Sequence, residues 1–212
     1  MAKILLLNGS ARAKQCTGTA LAEMIGVFEA EGVETELVQI GGKDVKGCMG
    51  CNFCRDAGRC VINDLVNEVA PKFEAADGLV IGSPVYYAHP SGRIQSFLDR
   101  LFFSTMRADG YAALHHKPCA SIVVARRAGT SASFDVLNKY ATISQMIVVG
   151  SSYWNEFHAL TKADVPGDPE GLQTLRNLAR NMVYVMKCQK AGRDAGILPP
   201  ANESGALTNF VR

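Results

Sequence analysis

Four cysteines lie within thirteen residues, at Cys48, Cys51, Cys54 and Cys60, in the spacing C-x2-C-x2-C-x5-C. Three thiols at three-residue intervals with a fourth nearby can surround a [4Fe-4S] cubane, whose four irons each need one thiolate. Zinc also binds four thiolates, although its structural sites usually take two C-x-x-C knuckles from well-separated segments. The loop can also fold without metal or form a labile disulfide. The spacing therefore predicts a metal or redox site and leaves these alternatives open.

The segment Gly9–Thr19 follows the first apolar run and leads into a helical pattern. The N-terminus of a helix favours an anion, because its backbone N–H groups are free and the helix dipole is positive there. Ser10 and Thr17 add hydroxyl groups, and Arg12 can grip a phosphate through two hydrogen bonds. The segment predicts a phosphate site without a Walker lysine; the alternative is an ordinary Gly/Ser turn with a surface arginine.

The segment Ser83–Gly92 follows the third apolar run and is rich in turn residues. Its prolines stiffen the backbone, and Tyr86 and Tyr87 can lie against a flat ring. Free backbone groups there can hydrogen-bond the edge of a heterocycle. The alternative is that the two tyrosines only cover the core.

Apolar runs alternate with helical patterns along the whole chain. The patterns predict strands over 3–7, 33–40, 78–82, 119–125 and 146–150, and helices over 18–30, 64–73, 94–101, 131–143 and from 168 onwards. Such an alternation implies an α/β fold, a doubly wound five-stranded parallel sheet with helices on both faces. Because no G-x-G-x-x-G follows the first strand, we favour the flavodoxin-like order 2-1-3-4-5, in which the loops after strands one and three face each other.

Composition and length restrict the class of protein. We expect one domain over residues 1–190 and an extended C-terminal tail over 191–212, which contains Pro-Pro and small residues. The net charge of +2 argues against a nucleic-acid partner. No apolar run is long enough to span a membrane, and the N-terminus does not resemble a secretory signal. The chain has seven cysteines, an odd number, and four of them lie too close together to link distant segments. This pattern favours metal or redox chemistry over a disulfide framework, so we expect the protein in the cytoplasm.

Four motifs together resemble the NADPH-dependent FMN reductase family, and especially its iron–sulfur flavoprotein branch. They are GSAR with a following threonine, GSPVYYAHPSGRIQSFLDRL, ARRAGTSASFDVLNKY and YWN, which follow strands one, three, four and five. The resemblance covers residues 1 to about 190. It implies a flavodoxin-like fold that holds FMN at the carboxyl edge of the sheet, in a homodimer or homotetramer.

The resemblance also implies roles for particular residues. The FMN phosphate would be held by Ser10, Arg12 and Thr17. The isoalloxazine ring would lie along Pro84, Val85 and Tyr86, and its pyrimidine end would be lined by Ala125, Arg126, Arg127, Ala128 and Gly129. A cation at that end suits the negative charge that a reduced flavin carries.

Two positions depart from the family pattern. Ala11 stands where the family usually has proline, and Cys16 stands where it usually has asparagine. Backbone contacts to FMN survive both changes, but a side-chain amide contact at Cys16 does not. The x5 spacing before Cys60, unlike the ferredoxin spacing, is compatible with the iron–sulfur flavoprotein branch.

The function that the resemblance implies is that of an FMN-dependent NAD(P)H oxidoreductase. Hydride would pass from NAD(P)H to bound FMN, and electrons would then pass to a flavin, a quinone or a small electrophile. Because hydride moves directly between the two rings, we assign no catalytic base. The alternative is an iron–sulfur flavoprotein electron carrier, in which a [4Fe-4S] cluster beside FMN accepts electrons from ferredoxin.

Overall fold

The computed structural model describes residues 2–203, 205, 206 and 208. The strands are β1 (Lys3–Asn8), β2 (Glu34–Gln39), β3 (Gly78–Tyr86), β4 (His89–Pro90), β5 (Pro118–Ala125), β6 (Ile147–Val148) and β7 (Glu156–His158). The helices are α1 (Cys16–Ala30), α2 (Cys54–Ala57), α3 (Leu65–Ala75), α4 (Gly92–Asp109), α5 (Thr130–Ile143) and α6 (Pro169–Asp194), with a 3-10 helix over Lys162–Gly167.

The sheet has the order β2-β1-β3-β5-β6, and the pairs along this path are parallel. Successive side chains of β1 point to opposite faces, so that Ile4 and Leu6 pack against α1 and α6 while Leu5 and Leu7 pack against α3, α4 and α5. Helices therefore cover both faces. The predicted doubly wound α/β fold is confirmed, and β2, β1, β3, β5 and β6 occupy the predicted order 2-1-3-4-5.

The fifth strand differs from the prediction. Only Ile147–Val148 of the predicted strand 146–150 pairs with the sheet, opposite Pro118–Cys119. The chain then leaves the sheet at Gly150 and returns as β7, which pairs with the last three residues of β5. Glycine and two serines after Val149 interrupt the strand, and the Ser151 hydroxyl donates instead to the Thr174 carbonyl at 2.6 Å.

The third strand is longer than predicted. It continues through the segment assigned to a loop as far as Tyr86 and then forms a short hairpin with β4. Tyr87 and Ala88 make the two-residue turn with φ values of 51° and 60°. Two positive φ values are typical of a type I′ turn, whose twist matches that of the strands it joins. Asn or Gly usually signals this turn, and neither is present here.

The helix ends are set largely by local caps. The Asp64 carboxylate accepts from Val66 N at 3.1 Å and caps the start of α3. Asp168 does the same for α6 by accepting from Gly171 N at 2.8 Å. Helix α6 continues to Asp194, four residues beyond the predicted domain boundary at 190. Of the predicted tail, residues 204, 207 and 209–212 lie outside the described residues. In the described part of the chain, no helix has the length and apolar character needed to cross a membrane.

Candidate functional site

The loops after β1 and β3 meet at the carboxyl edge of the sheet, as the strand order predicted. Gly9 N donates to the Gly82 carbonyl at 2.7 Å. The Ser91 hydroxyl, which also caps α4, donates to the Gly9 carbonyl at 2.8 Å. Ser91 N in turn donates to the Ser83 hydroxyl at 2.9 Å. These bonds hold the predicted phosphate segment directly beside the hairpin.

Asn8 organises the first loop and was not identified from the sequence. Its side chain is fully buried at the end of β1. Its Oδ1 accepts from Ser10 N at 3.0 Å, and its Nδ2 donates to the Ala13 carbonyl at 3.2 Å. The two bonds clamp both sides of the loop. The only sequence signal was the Asn-Gly-Ser turn pattern, which predicts a turn but not this pair of contacts.

The N-terminus of α1 lies directly after this loop and suits an anion. No described side chain caps the helix at Gln15, and its first turn contains no acidic residue. Uncapped N–H groups at a helix start are free to bind an anionic ligand. Gly18 permits the loop to pass close by, because a Cβ there would lie 1.8 Å from the Ala13 carbonyl oxygen.

The three residues predicted to hold the phosphate, Ser10, Arg12 and Thr17, and the departure at Cys16 take different positions in the structure. Ser10 is buried, and its hydroxyl exchanges hydrogen bonds of 3.2 Å with the backbone of Arg12. The Arg12 side chain is exposed. Cys16 and Thr17 begin α1 and are buried, and Cys16 belongs to the core between α1 and the sheet. A contribution from position 16 therefore comes from its backbone N–H group.

The loop after β5 packs against the hairpin. Gly129 has a φ of +91°, and a Cβ at this position would lie 2.6 Å from the Cα of Ala88 and 3.1 Å from Val85. Only glycine allows this contact. It brings Val85 and Tyr86 to the same side of the sheet edge as the 125–129 loop. Sequence reasoning placed these segments around one ring, and the structure brings them together.

The charged groups near this loop fall into two sets. Arg126 and Arg127 are both exposed just beyond the buried Ala125. Glu156 accepts from the hydroxyls of Thr130 and Ser131, at 2.6 and 2.7 Å, at the start of α5. A carboxylate thus lies at the start of α5, where it binds two hydroxyl groups, whereas both arginines are exposed to a ligand.

The four loop cysteines, Cys48, Cys51, Cys54 and Cys60, line one small cavity together with residues of α4. Cys54 is buried at the start of the short helix α2, Cys60 is half-buried, and Cys48 and Cys51 are exposed. Left-handed backbone at Gly50 and Gly58 turns the chain around the cavity. The thiol spacing thus corresponds to a single site in three dimensions.

Zinc and a [4Fe-4S] cubane require different arrangements of the four thiols. Among the described residues, no three His, Cys, Asp or Glu side chains come close enough together to hold one metal ion. A cubane is a larger group in which each thiolate binds a different iron, so its ligands need not converge on one point. Four thiols around a common cavity fit a cubane.

Arg100 of α4 also lines this cavity and was not identified from the sequence. Its Nε–H group donates to the Cys60 sulfur at 3.3 Å, and its terminal nitrogens form a two-bond ion pair with Asp64 at 2.7 and 2.8 Å. Burial alone would raise the pKa of the Asp64 carboxyl, but the bonds from Arg100 and from Val66 N outweigh it and hold that pKa below its ordinary value.

The sequence of this chain is similar to those of known proteins. A family model described as NADPH-dependent FMN reductase matches residues 2–159. An iron-sulfur flavoprotein of Methanocaldococcus jannaschii is 31% identical over 195 residues, which cover 89% of this chain and 99% of that protein.

Two solved structures support the fold. The crystal structure of RosB with a bound 8-demethyl-8-formylriboflavin-5'-phosphate intermediate has a TM-score of 0.68 at 16% identity, covering 100% of this chain and 94% of that one. A flavodoxin, WrbA-like protein of Agrobacterium tumefaciens has a TM-score of 0.56 at 14% identity, covering 88% and 99%. At these identities the likeness concerns the fold alone, and it confirms the predicted flavodoxin-like class.

Proposed function

The chain belongs to the NADPH-dependent FMN reductase family, and from this premise we propose that it is an FMN-dependent NAD(P)H oxidoreductase. FMN, when bound, would accept hydride from NAD(P)H and pass electrons to a flavin, a quinone or a small electrophile. The residues of this chain would bind the cofactor, orient its ring and leave one side open to substrates.

The observation that carries the proposal is the uncapped start of α1 beneath an ordered loop. A phosphate at this point would accept from backbone N–H groups at the positive end of the helix dipole. Asn8 fixes the loop through its bonds to Ser10 N and the Ala13 carbonyl, so the donors are in position before a ligand arrives. The exposed Arg12 is free to close over the phosphate as a charge-assisted donor.

The ring would lie where the β3–β4 hairpin meets the loop after β5. Gly129 holds the two segments in contact, and Val85 is half-buried beside it. Tyr86 is 47% exposed and offers a flat face at the carboxyl edge. Arg126 and Arg127 would stabilise negative charge at the pyrimidine end, because both are exposed next to this loop.

A direct test of the phosphate assignment is Arg12→Ala. Loss of hydrogen bonds to a charged group costs about 1.5–3 kcal/mol, which corresponds to roughly tenfold to a hundredfold weaker FMN binding. Lys43→Ala is the matched control, because Lys43 is another exposed cation near this edge of the sheet. Fluorescence titration of each apoprotein with FMN gives the dissociation constants. Equal affinity of Arg12→Ala and wild type would remove the phosphate assignment.

The oxidoreductase activity is tested separately. Anaerobic wild-type protein loaded with FMN should lose its flavin absorbance rapidly on addition of NADPH or NADH. The same sample should then transfer electrons to added riboflavin or a quinone. A flavin that stays oxidised with both nucleotides, yet is reduced by reduced ferredoxin, would favour the electron-carrier alternative instead.

The second candidate function, an iron–sulfur electron carrier, is favoured by one observation. All four loop cysteines line a single cavity at the carboxyl side of the sheet, as a [4Fe-4S] cluster requires. Cys48, Cys51, Cys54 and Cys60 would each supply one thiolate. Iron and acid-labile sulfide counted per chain in anaerobically purified protein test this assignment. Four irons and four sulfides per chain are expected, and zinc in their place would contradict it.

We further propose that the protein acts as a homodimer or homotetramer. Tyr153 and Trp154 support this, because their rings pack edge to face at 5.0 Å while more than half of each side chain is exposed. Aromatic side chains of this kind are enriched at protein interfaces. Light scattering of the purified protein gives the mass, and a monomer at micromolar concentration would exclude the assembly.

A further inference from the structure

Arg100 is a fully charged side chain in the interior of the protein, with only 2% of its surface exposed. A guanidinium group has five N–H donors. Nε donates to the Cys60 sulfur, Nη1 donates to the Lys46 carbonyl at 3.3 Å and to Asp64, and Nη2 donates to the Ile62 carbonyl at 3.0 Å and to Asp64. Every donor therefore has an acceptor, and all five acceptors belong to the cysteine loop or its borders.

These contacts close the ends of the cysteine loop. Lys46 precedes Cys48, whereas Cys60, Ile62 and Asp64 come at the end of the loop and just after it. One side chain from α4 thus ties the beginning of the loop to its end. Since a buried cation without partners is very costly, the network is strongly favoured over any arrangement in which the ends separate.

The Asp64 carboxylate compensates only part of the positive charge on Arg100. The Asp64 carboxylate also accepts from Val66 N as the cap of α3, so it interacts with the helix as well as with the guanidinium. The other side-chain acceptor of Arg100 is the Cys60 sulfur, which accepts from Nε. Hydrogen bonds between a cation and an ionised sulfur are stronger than those to a neutral thiol. The geometry is therefore suited to a sulfur that carries negative charge, as a metal-bound thiolate does.

We propose that Arg100 is a positioning residue that raises the reduction potential of an iron–sulfur cluster held by the four loop cysteines. The inference rests on the cluster assignment of the second candidate function. If the site held the cluster, one electron from reduced ferredoxin would add negative charge at the sulfurs, and a cation that donates to one of them would stabilise the reduced form more than the oxidised form. Hydrogen bonds to the sulfurs are among the determinants of cluster potentials.

The test compares reduction potentials in wild type and four variants by potentiometric titration followed by electron paramagnetic resonance. Arg100→Gln removes the charge and the Nε donor and should lower the ratio of reduced to oxidised cluster about tenfold at a given solution potential. For a one-electron couple this corresponds to a shift of about 59 mV towards more negative values. Arg100→Lys keeps the charge without the planar fork and should give a smaller shift.

Arg107→Gln is the matched control. Arg107 lies on the same face of α4, donates to Asn52 Oδ1 at 3.4 Å and has its guanidinium over the Phe103 ring at 5.0 Å, but within the described part of the chain it makes no bond to sulfur. Its removal deletes the same charge near the loop. A potential that shifts as much in Arg107→Gln as in Arg100→Gln would show that net charge alone is responsible and would overturn the role of the sulfur bond.

A double variant guards against misfolding. Arg100→Gln alone leaves the Asp64 carboxylate without its partner, whereas Arg100→Gln with Asp64→Asn removes both charges of the buried pair. Its potential should also be lower than that of wild type. If anaerobically purified wild-type protein contains no iron and no acid-labile sulfide, both the cluster assignment and this inference are overturned. If wild type holds the cluster, but its reduction potential is the same in Arg100→Gln and in the double variant as in wild type, the inference alone is overturned.

Discussion

The glycines of α1 provide a sharp test of the phosphate loop, because two of them differ only in their surroundings. Gly18 lies in the first turn, where a Cβ would meet the Ala13 carbonyl oxygen at 1.8 Å. Gly26 lies in the middle of the same helix, where a Cβ would meet no atom within 4 Å. Alanine favours a helix over glycine at either position. Gly18→Ala and Gly26→Ala therefore separate helix propensity from the contact with the loop.

The two variants should change the free energy of unfolding in opposite directions. Gly26→Ala should raise the free energy of unfolding by about 0.5–1 kcal/mol and leave FMN affinity unchanged. In Gly18→Ala a backbone oxygen, which cannot rotate away, must move by more than 1 Å. That movement breaks the bond from Asn8 Nδ2 to Ala13 and displaces the N–H groups around the phosphate. Loss of one charged hydrogen bond, about 1.5–3 kcal/mol, predicts FMN binding weaker by roughly tenfold to a hundredfold.

Urea denaturation and fluorescence titration with FMN, carried out on both variants and on wild type, give the two quantities. Gly18→Ala should bind FMN more weakly than Gly26→Ala and should lower the free energy of unfolding, whereas Gly26→Ala should raise it. If Gly18→Ala bound FMN as tightly as wild type and gained the same stability as Gly26→Ala, the loop would not be held by this contact. The assignment of the α1 N-terminus as the phosphate site would then fail.

Three further predictions concern the rest of the structure. Asp64→Asn should lower the free energy of unfolding by about 3–5 kcal/mol in urea at neutral pH, because Arg100 is left buried without a counter-charge. Since the pKa of Asp64 is held below its ordinary value of 3.8, the difference between the two proteins should narrow as the pH falls below that value. Gly129→Ala should lower the free energy of unfolding by about 1–3 kcal/mol in the same assay, because φ at Gly129 is +91°. Gly92→Ala should not lower it, because a Cβ at Gly92 would lie in open space. Burial raises the pKa of Cys119 to about 12, so mass spectrometry should find this thiol unmodified by iodoacetamide at pH 8 in the native protein.

The fold was predictable where a pattern in the sequence corresponds to one physical cause. Runs such as Lys3–Leu7 are apolar throughout, as a strand buried on both faces must be, and Asp168 before Pro169 marks a helix start through local chemistry alone. The hairpin at Tyr87–Ala88 carries no such signal. Two residues without the usual preference for positive φ are held there by the packing of Ala88 on Gly129, which lies 41 residues later in the chain.

The candidate site shows the same division. The exposed Arg12 and the four cysteines could be selected from residue type and spacing. Asn8 and Arg100 could not, because their importance lies in which partners the fold brings to them. Nothing in the sequence near Arg100 indicates that its acceptors lie between thirty-six and fifty-four residues earlier. A buried charge becomes recognisable only when its partners are known.

Helix α4 links the two candidate redox sites mechanically. At its start, Ser91 holds the Gly9 carbonyl, and Arg93 donates to the Gly41 carbonyl at 2.8 Å beside the first loop. Two turns later, Arg100 holds the cysteine loop. Seven residues of helix span about 10 Å, so one rigid element sets the separation of the phosphate loop from the four thiols. A change in α4 that tilts the helix should therefore affect both sites together, whereas substitutions in either loop should affect only one.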